Sequence, residues 1–306
     1  MTIHDFISTA WSDHGEHAAS VADRLVASLH LITEPAHIAP YAALVTHVYG
    51  EHLARWDDGA ALLGAMRRLP AFDASEAAER PLRRGSAVLR CTAEALAAHA
   101  DQEGAREVKL PAALSAQDQA DVLASTSAAL AGRRAFGAAV QIYTQALAIA
   151  DQGLSAQSPA LRAMAIGGNN LAAALEEHTG RNAAERAGML MAAEAGLKYW
   201  KLAGTWLEEE RAELRLSQCR LAAGLAVDAI ASAERCLAIC AAQDAPAIER
   251  FFGQAALASA QKAADRGADF EASRAKADAL FAQIPAEERA WCAGTLAQLR
   301  ASPPAA

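Results

Sequence analysis

Long stretches of the chain carry apolar residues at helical spacing, interrupted at regular points by residues that start and stop helices. Asp73-Ala-Ser-Glu76, Ser115-Ala-Gln-Asp118, Asn182-Ala-Ala-Glu185 and Thr205-Trp-Leu-Glu208 each set a capping side chain three residues ahead of a carboxylate. That arrangement satisfies the orphan amides of a first helical turn. Ser158-Pro159 marks a further start, with proline where its missing N–H costs nothing. Gly132, Gly180, Gly224 and Gly267 each follow a long helical pattern, where a left-handed stop is wanted. Between these signals the pattern predicts about thirteen helices, over 14–31, 36–53, 56–68, 81–99, 116–132, 136–150, 159–178, 182–200, 205–222, 225–242, 246–264, 269–283 and 286–300. Pro81 lies inside a helical pattern that begins near Ala74, so that segment either starts late or kinks.

The polar stretch His99–Lys109, ending at Pro111, reads as a linker. It divides a histidine-rich part, 1–100, from a more regular helical-repeat array, 112–303. Within that array Gly180, Gly224 and Gly267 recur at intervals of 44 and 43 residues. A fixed period in this range is the mark of stacked helical hairpins. Gly224-Leu-Ala-Val-Asp-Ala229 and Gly267-Ala-Asp-Phe-Glu-Ala272 both place alanine five residues after the glycine, and Phe136, Ala139, Tyr143, Ala146 and Leu147 give an earlier unit the same succession. Trp56, Gly59, Leu63 and Met66 read likewise.

These residues resemble the tetratricopeptide (TPR) pattern, in which a glycine ends the first helix and a small residue lets the second pack against it. Asn169-Asn170-Leu171-Ala172 looks like the opening helix of long-period TPRs such as those of kinesin light chains. The period exceeds the usual TPR length of about 34 residues, and Arg220 occupies a slot where a large apolar residue is usual. The resemblance implies an all-α fold, a right-handed α-α superhelix of the TPR-like solenoid kind, and a non-enzymatic scaffold whose concave groove holds a protein or peptide partner. Aligning the glycines pairs Arg211 with Gln254 and Gln218 with Gln261; Asn169, Asn170 and Glu177 fall near the corresponding face of the preceding unit, and Arg162 about two turns before. Such a ladder suits an extended peptide or its carboxylate. The terminal hairpin of an array must be capped, and Trp291, Leu296 and Leu299 are the residues to do it.

Composition narrows the class further. The 306 residues are 53% hydrophobic but only 5% aromatic, with alanine making up much of the difference, which favours closely packed helices. A net charge of −8 argues against an extended nucleic-acid surface. Arg67, Arg68, Arg80, Arg83, Arg84 and Arg90 form one basic cluster, but Asp73, Glu76 and Glu79 are interleaved with it, so it reads as a solvated helix face. No basic leader precedes an apolar run, and no charge-free run is long enough for a membrane span. Five cysteines without a Cys-x-x-Cys pair fit a reducing compartment, so a cytoplasmic protein is expected, with homo-oligomerisation left open.

No phosphate-binding or nucleophile-elbow motif occurs. Cys236 and Cys240 share a helix face at i,i+4, a spacing that binds metal or packs as small buried thiols, and the latter is the simpler reading. Seven of the nine histidines fall in the first 52 residues: His4, His14, His17, His30, His37, His47 and His52. His14 and His17 are spaced i,i+3, and His47 and Glu51 i,i+4, both usable by a metal. With no His-Glu-x-x-His present, no metal or cofactor is expected; the alternative function is a small-molecule or metal-responsive regulator using these helices.

Overall fold

A computed structural model describes residues 2–100, 108–112 and 114–301. Most of the linker stretch, at 101–107, and the tail Ser302–Ala306 lie outside the described residues. Among the described residues every regular element is helical. The α-helices are α1 (Ile3–Ala27), α2 (Ile38–His47), α3 (Trp56–Met66), α4 (Glu76–Ala100), α5 (Ala116–Gly132), α6 (Phe136–Ala150), α7 (Ala160–Glu177), α8 (Ala183–Ala203), α9 (Trp206–Ala222), α10 (Ala226–Ala242), α11 (Ala247–Ala263), α12 (Gly267–Phe281) and α13 (Arg289–Ala301). A π-turn, Val48–His52, continues α2.

Two starts differ from expectation. α1 begins well before residue 14, because Thr2 and Asp5 form a reciprocal capping box: the Asp5 amide donates to Thr2 Oγ1 at 3.1 Å and the Thr2 amide to Asp5 Oδ2 at 3.0 Å. α4 begins at Glu76 and runs through Pro81, started by Ser75, whose Oγ accepts from the Ala78 amide at 3.3 Å.

The described chain divides into two compact units, Met1–Gly167 and Gly168–Ala306. In the first, α1 to α4 enclose a core of large side chains, among them Phe6, Leu25, Tyr41, Tyr49, Leu63 and Met66. Both buried tyrosines satisfy their hydroxyls on α1, Tyr41 on the Leu25 carbonyl and Tyr49 on that of Ala22. Glycine lets α3 approach closely, for a Cβ at Gly59 would stand 2.8 Å from that of Tyr49. Of the arginines expected on a solvated face, Arg68 and Arg90 are exposed, but Arg67, Arg80, Arg83 and Arg84 are partly buried. Arg80 reaches Asp118 of α5 at 2.6 Å and Arg84 pairs with Asp121, both acids being buried.

In the second unit α8 packs on α9, α9 pairs with α10, α10 packs on α11, and α11 pairs with α12. α13 then covers α11 and α12 with Leu296 and Leu299 buried. Trp291 does not join that cap; it is 73% exposed. Phe251 is fully buried and meets the half-buried Phe252 edge to face, ring centroids 5.3 Å apart.

The repeat is written most clearly in its turns. Between α5 and α6, α9 and α10, and α11 and α12, three residues intervene and the middle one is left-handed: Arg134 (φ 61°), Gly224 (φ 82°) and Asp265 (φ 57°). Each turn closes with the same pair of hydrogen bonds, for example Ala135 N–H to the Leu130 carbonyl and Arg134 N–H to that of Ala131, which is a Schellman motif. Of the four glycines expected in left-handed stops, only Gly224 takes that conformation. Gly132 ends α5 and Gly267 begins α12, so Gly224 is equivalent to Asp265 rather than to Gly267. A second shared feature confirms the register: Ser127 and Ser217, buried in the first helices, donate to the Ala139 and Ala229 carbonyls of the second, each at 2.8 Å. Arg220, at a slot expected to be apolar, donates to Ser232 Oγ at 2.7 Å across its hairpin.

Candidate metal centre

Three of the N-terminal histidines converge. His14 comes from the middle of α1, His47 ends α2, and His52 ends the π-turn. In a regular α-helix residues five apart point about 140° apart around the axis. The π-turn, closed by Leu53 N–H to the Val48 carbonyl at 3.1 Å, adds the extra residue that swings His52 round beside His47. His17 takes no part, for α1 departs from helical geometry there (φ −128°, ψ 36°) and the side chain is exposed.

The imidazoles form a nearly equilateral triangle, with centroids 4.8 Å apart for His14 and His47, 5.0 Å for His14 and His52, and 4.9 Å for His47 and His52. All three are half-buried, and one ligand nitrogen of each lies within 4.8 Å of the others. Trp11 packs over the group, 5.0 Å from His47 and 5.2 Å from His14. The nitrogens' outer partners decide what they do. His14 Nδ1 lies 2.5 Å from the Trp11 carbonyl, which only accepts, so that nitrogen carries the proton and Nε2 keeps its lone pair. His47 Nδ1 lies 2.9 Å from Glu51 Oε1, and the same logic frees its Nε2. This carboxylate–histidine arrangement is the one that orients a metal-ligating imidazole.

His47 Nε2 and His52 Nε2 stand 3.2 Å apart. Two nitrogens each about 2.0–2.1 Å from a shared tetrahedral zinc ion are separated by about 3.4 Å, so this edge already has the size of a coordination edge. Burial, followed by the charges of His47 and His14, holds the His52 pKa below the ordinary histidine value, which favours the neutral, ligating form. Arg133 Nη1 donates to the His52 carbonyl at 3.2 Å, tying the end of α5 to the π-turn. The donor set suits a divalent ion such as Zn²⁺, with three protein nitrogens and a remaining position open. The i,i+4 pair of His47 and Glu51 is visible in the sequence, but the partnership of His47 with His52 is not, because it depends on the π-turn.

The residues expected to line a groove are dispersed. Arg162, Asn170 and Glu177 are exposed on α7, and Asn169 is half-buried. On α9, Arg211 pairs with Glu249, its Nε 3.3 Å from Oε2, and Gln218 is half-buried. Gln254 and Gln261 are buried at 6% and 8% exposure. The turn geometry makes Phe252 and Ser259 the equivalents of Arg211 and Gln218, so the glycine-aligned ladder shifts by two residues on α11.

No protein-family model matches this chain, and no curated protein does. Among solved structures, that of a Podosopora anserina putative kinesin light chain with nearly identical TPR-like repeats is 15% identical, with 75% of this chain and 96% of that one covered at a TM-score of 0.45. The chain's own turns and register define its class: an all-α protein of repeated helical hairpins. No described helix is long and apolar enough to cross a membrane.

Proposed function

We propose that this is a non-enzymatic, metal-responsive binding protein, in which His14, His47 and His52 hold Zn²⁺ and the hairpin repeats hold a protein or peptide partner. The observation that carries the metal-binding part is the convergence of three half-buried imidazoles, two of them pre-oriented through Nδ1 by acceptors that leave Nε2 free. Such pre-orientation lowers the entropy lost on binding. The repeated hairpins support the partner-holding part, since stacked helical pairs present extended surfaces. Asn169, Asn170 and Glu177 on α7 and Gln218 on α9 are the side chains from the expected set that remain available to such a partner. Arg211 would first have to leave Glu249, while Gln254 and Gln261 serve the interior.

Calorimetric titration of metal-stripped protein with Zn²⁺ tests the reading. The expected result is a site with a dissociation constant at or below about 1 μM, equivalent to about −8 kcal/mol, lost in His47→Ala and in His52→Ala while circular dichroism shows the helices intact. Equal affinity in the wild type and in both variants overturns it, as does a wild type that neither binds Zn²⁺ nor gains thermal stability at saturating metal.

A further inference from the structure

A second set of ligating groups lies in the regular part of the repeat. Cys236 and Cys240 occupy one face of α10, and Glu210 faces them from α9. All three are buried, Glu210 and Cys236 fully, and one ligand atom of each lies within 4.8 Å of the others. The Cys236 thiol donates to Glu210 Oε1 at 2.8 Å. The other oxygen, Oε2, is buried with no hydrogen-bond partner among the described residues.

The shared turns show how unusual this is for the repeat. The equivalents of Glu210 in the α5 and α11 helices are Ala120 and Phe251; those of Cys236 are Ala146 and Ala277; those of Cys240 are Ala150 and Phe281. Neither comparison hairpin puts a polar side chain at any of these positions, so packing alone does not ask for a carboxyl and two thiols. A further polar group points the same way from α11. Gln254, 6% exposed, has its Nε2 buried with no hydrogen-bond partner among the described residues and shares with Cys240 the wall of a cavity of about 480 Å³, together with Arg250 and Lys276. Glycine at 253 allows α11 this close, for a Cβ there would meet Cys236 Sγ at 2.9 Å.

We propose that Glu210, Cys236 and Cys240 form a second metal site, selective for a thiophilic divalent ion of the zinc type, with the fourth tetrahedral position turned toward the cavity and Gln254. Two thiolates and a carboxylate are a zinc donor set, and the i,i+4 spacing gives both sulfurs to one ion. Binding is ligand exchange without redox. Two S–H bonds break, their protons leave to solvent, and the sulfurs' electron pairs go to the metal. The three anionic ligands exceed the charge of the ion by one, which Arg250 and Lys276 on the cavity wall offset. The bound ion ties α9 to α10 within a single hairpin.

Titration of the reduced, metal-free full chain with Co²⁺ distinguishes this site from the histidine centre, because only thiolate ligation gives sulfur-to-cobalt charge-transfer absorption. One equivalent is expected to produce that band and Zn²⁺ to displace it, while Glu210→Gln weakens binding at this site at least about 10-fold. Cys236→Ala with Cys240→Ala, which reproduces the side chains of Ala146 and Ala150 in α6 and so keeps the hairpin folded, removes the band. Absence of the band from the folded wild type overturns the proposal. So does a band that persists in the double variant, which would assign it to Cys91, Cys219 or Cys292.

Discussion

The histidine centre and the thiol centre are built by opposite means. In the first unit the ligands come together because the backbone breaks its own rule: a π-turn carries His52 to His47, and the acceptors Trp11 and Glu51 set the ring orientations. In the second the backbone is regular, and three substitutions into a repeating framework of alanine and phenylalanine place Glu210, Cys236 and Cys240 together. The side chains of the first centre are half-buried and those of the second buried. The irregular backbone thus leaves its donors half-exposed, whereas the regular one buries them in the packing.

Four substitutions sharpen the contrast. Glu51→Gln keeps the size of the group that orients His47 but removes its charge, and Zn²⁺ affinity at the histidine centre should fall 10- to 100-fold, read by calorimetry. An unchanged affinity would mean that the π-turn alone positions the ring. Gly253→Ala drives a Cβ against Cys236 Sγ and Leu237, so urea unfolding should show a loss of about 2 kcal/mol, with the thiol centre's Co²⁺ band diminished. A neutral result would show that the thiol centre is looser than its burial suggests. Ser217→Ala leaves the Ala229 carbonyl without its side-chain donor and should cost about 1 kcal/mol in the same assay. The equivalent Ser127→Ala should match it, and a large disparity would argue against a common hairpin design.

Much of the fold was legible because its signals are local. Asn182 with Glu185 and Thr205 with Glu208 form the capping boxes their spacing announces, and α5 and α6 occupy their expected spans. The start of α1 was missed although Thr2 and Asp5 have the same spacing that marks Ser115 and Asp118. The exact register was blurred because Arg134 and Asp265 take the left-handed turn that glycine takes at 224, so counting glycines gives a period two residues too long on α11. For the sites, sequence shows which residue types are present but not which backbone will gather them. Gln254 and Gln261 read as surface amides from their polarity, yet burial depends on how closely α11 is pressed, and that is set by Gly253. The i,i+5 separation of His47 and His52 belongs to no helical face until the π-turn is known.

That turn lets the N-terminal centre carry one residue more than a regular helix needs to pair the same two histidines. Without one residue between Val48 and Gly50 the segment would be ordinary α-helix, in which His47 and His52 would stand four positions and about 40° apart and Glu51 would fall three positions from His47. A gene encoding the same histidines with one residue fewer at this point would therefore still bring His47 and His52 to one helix face.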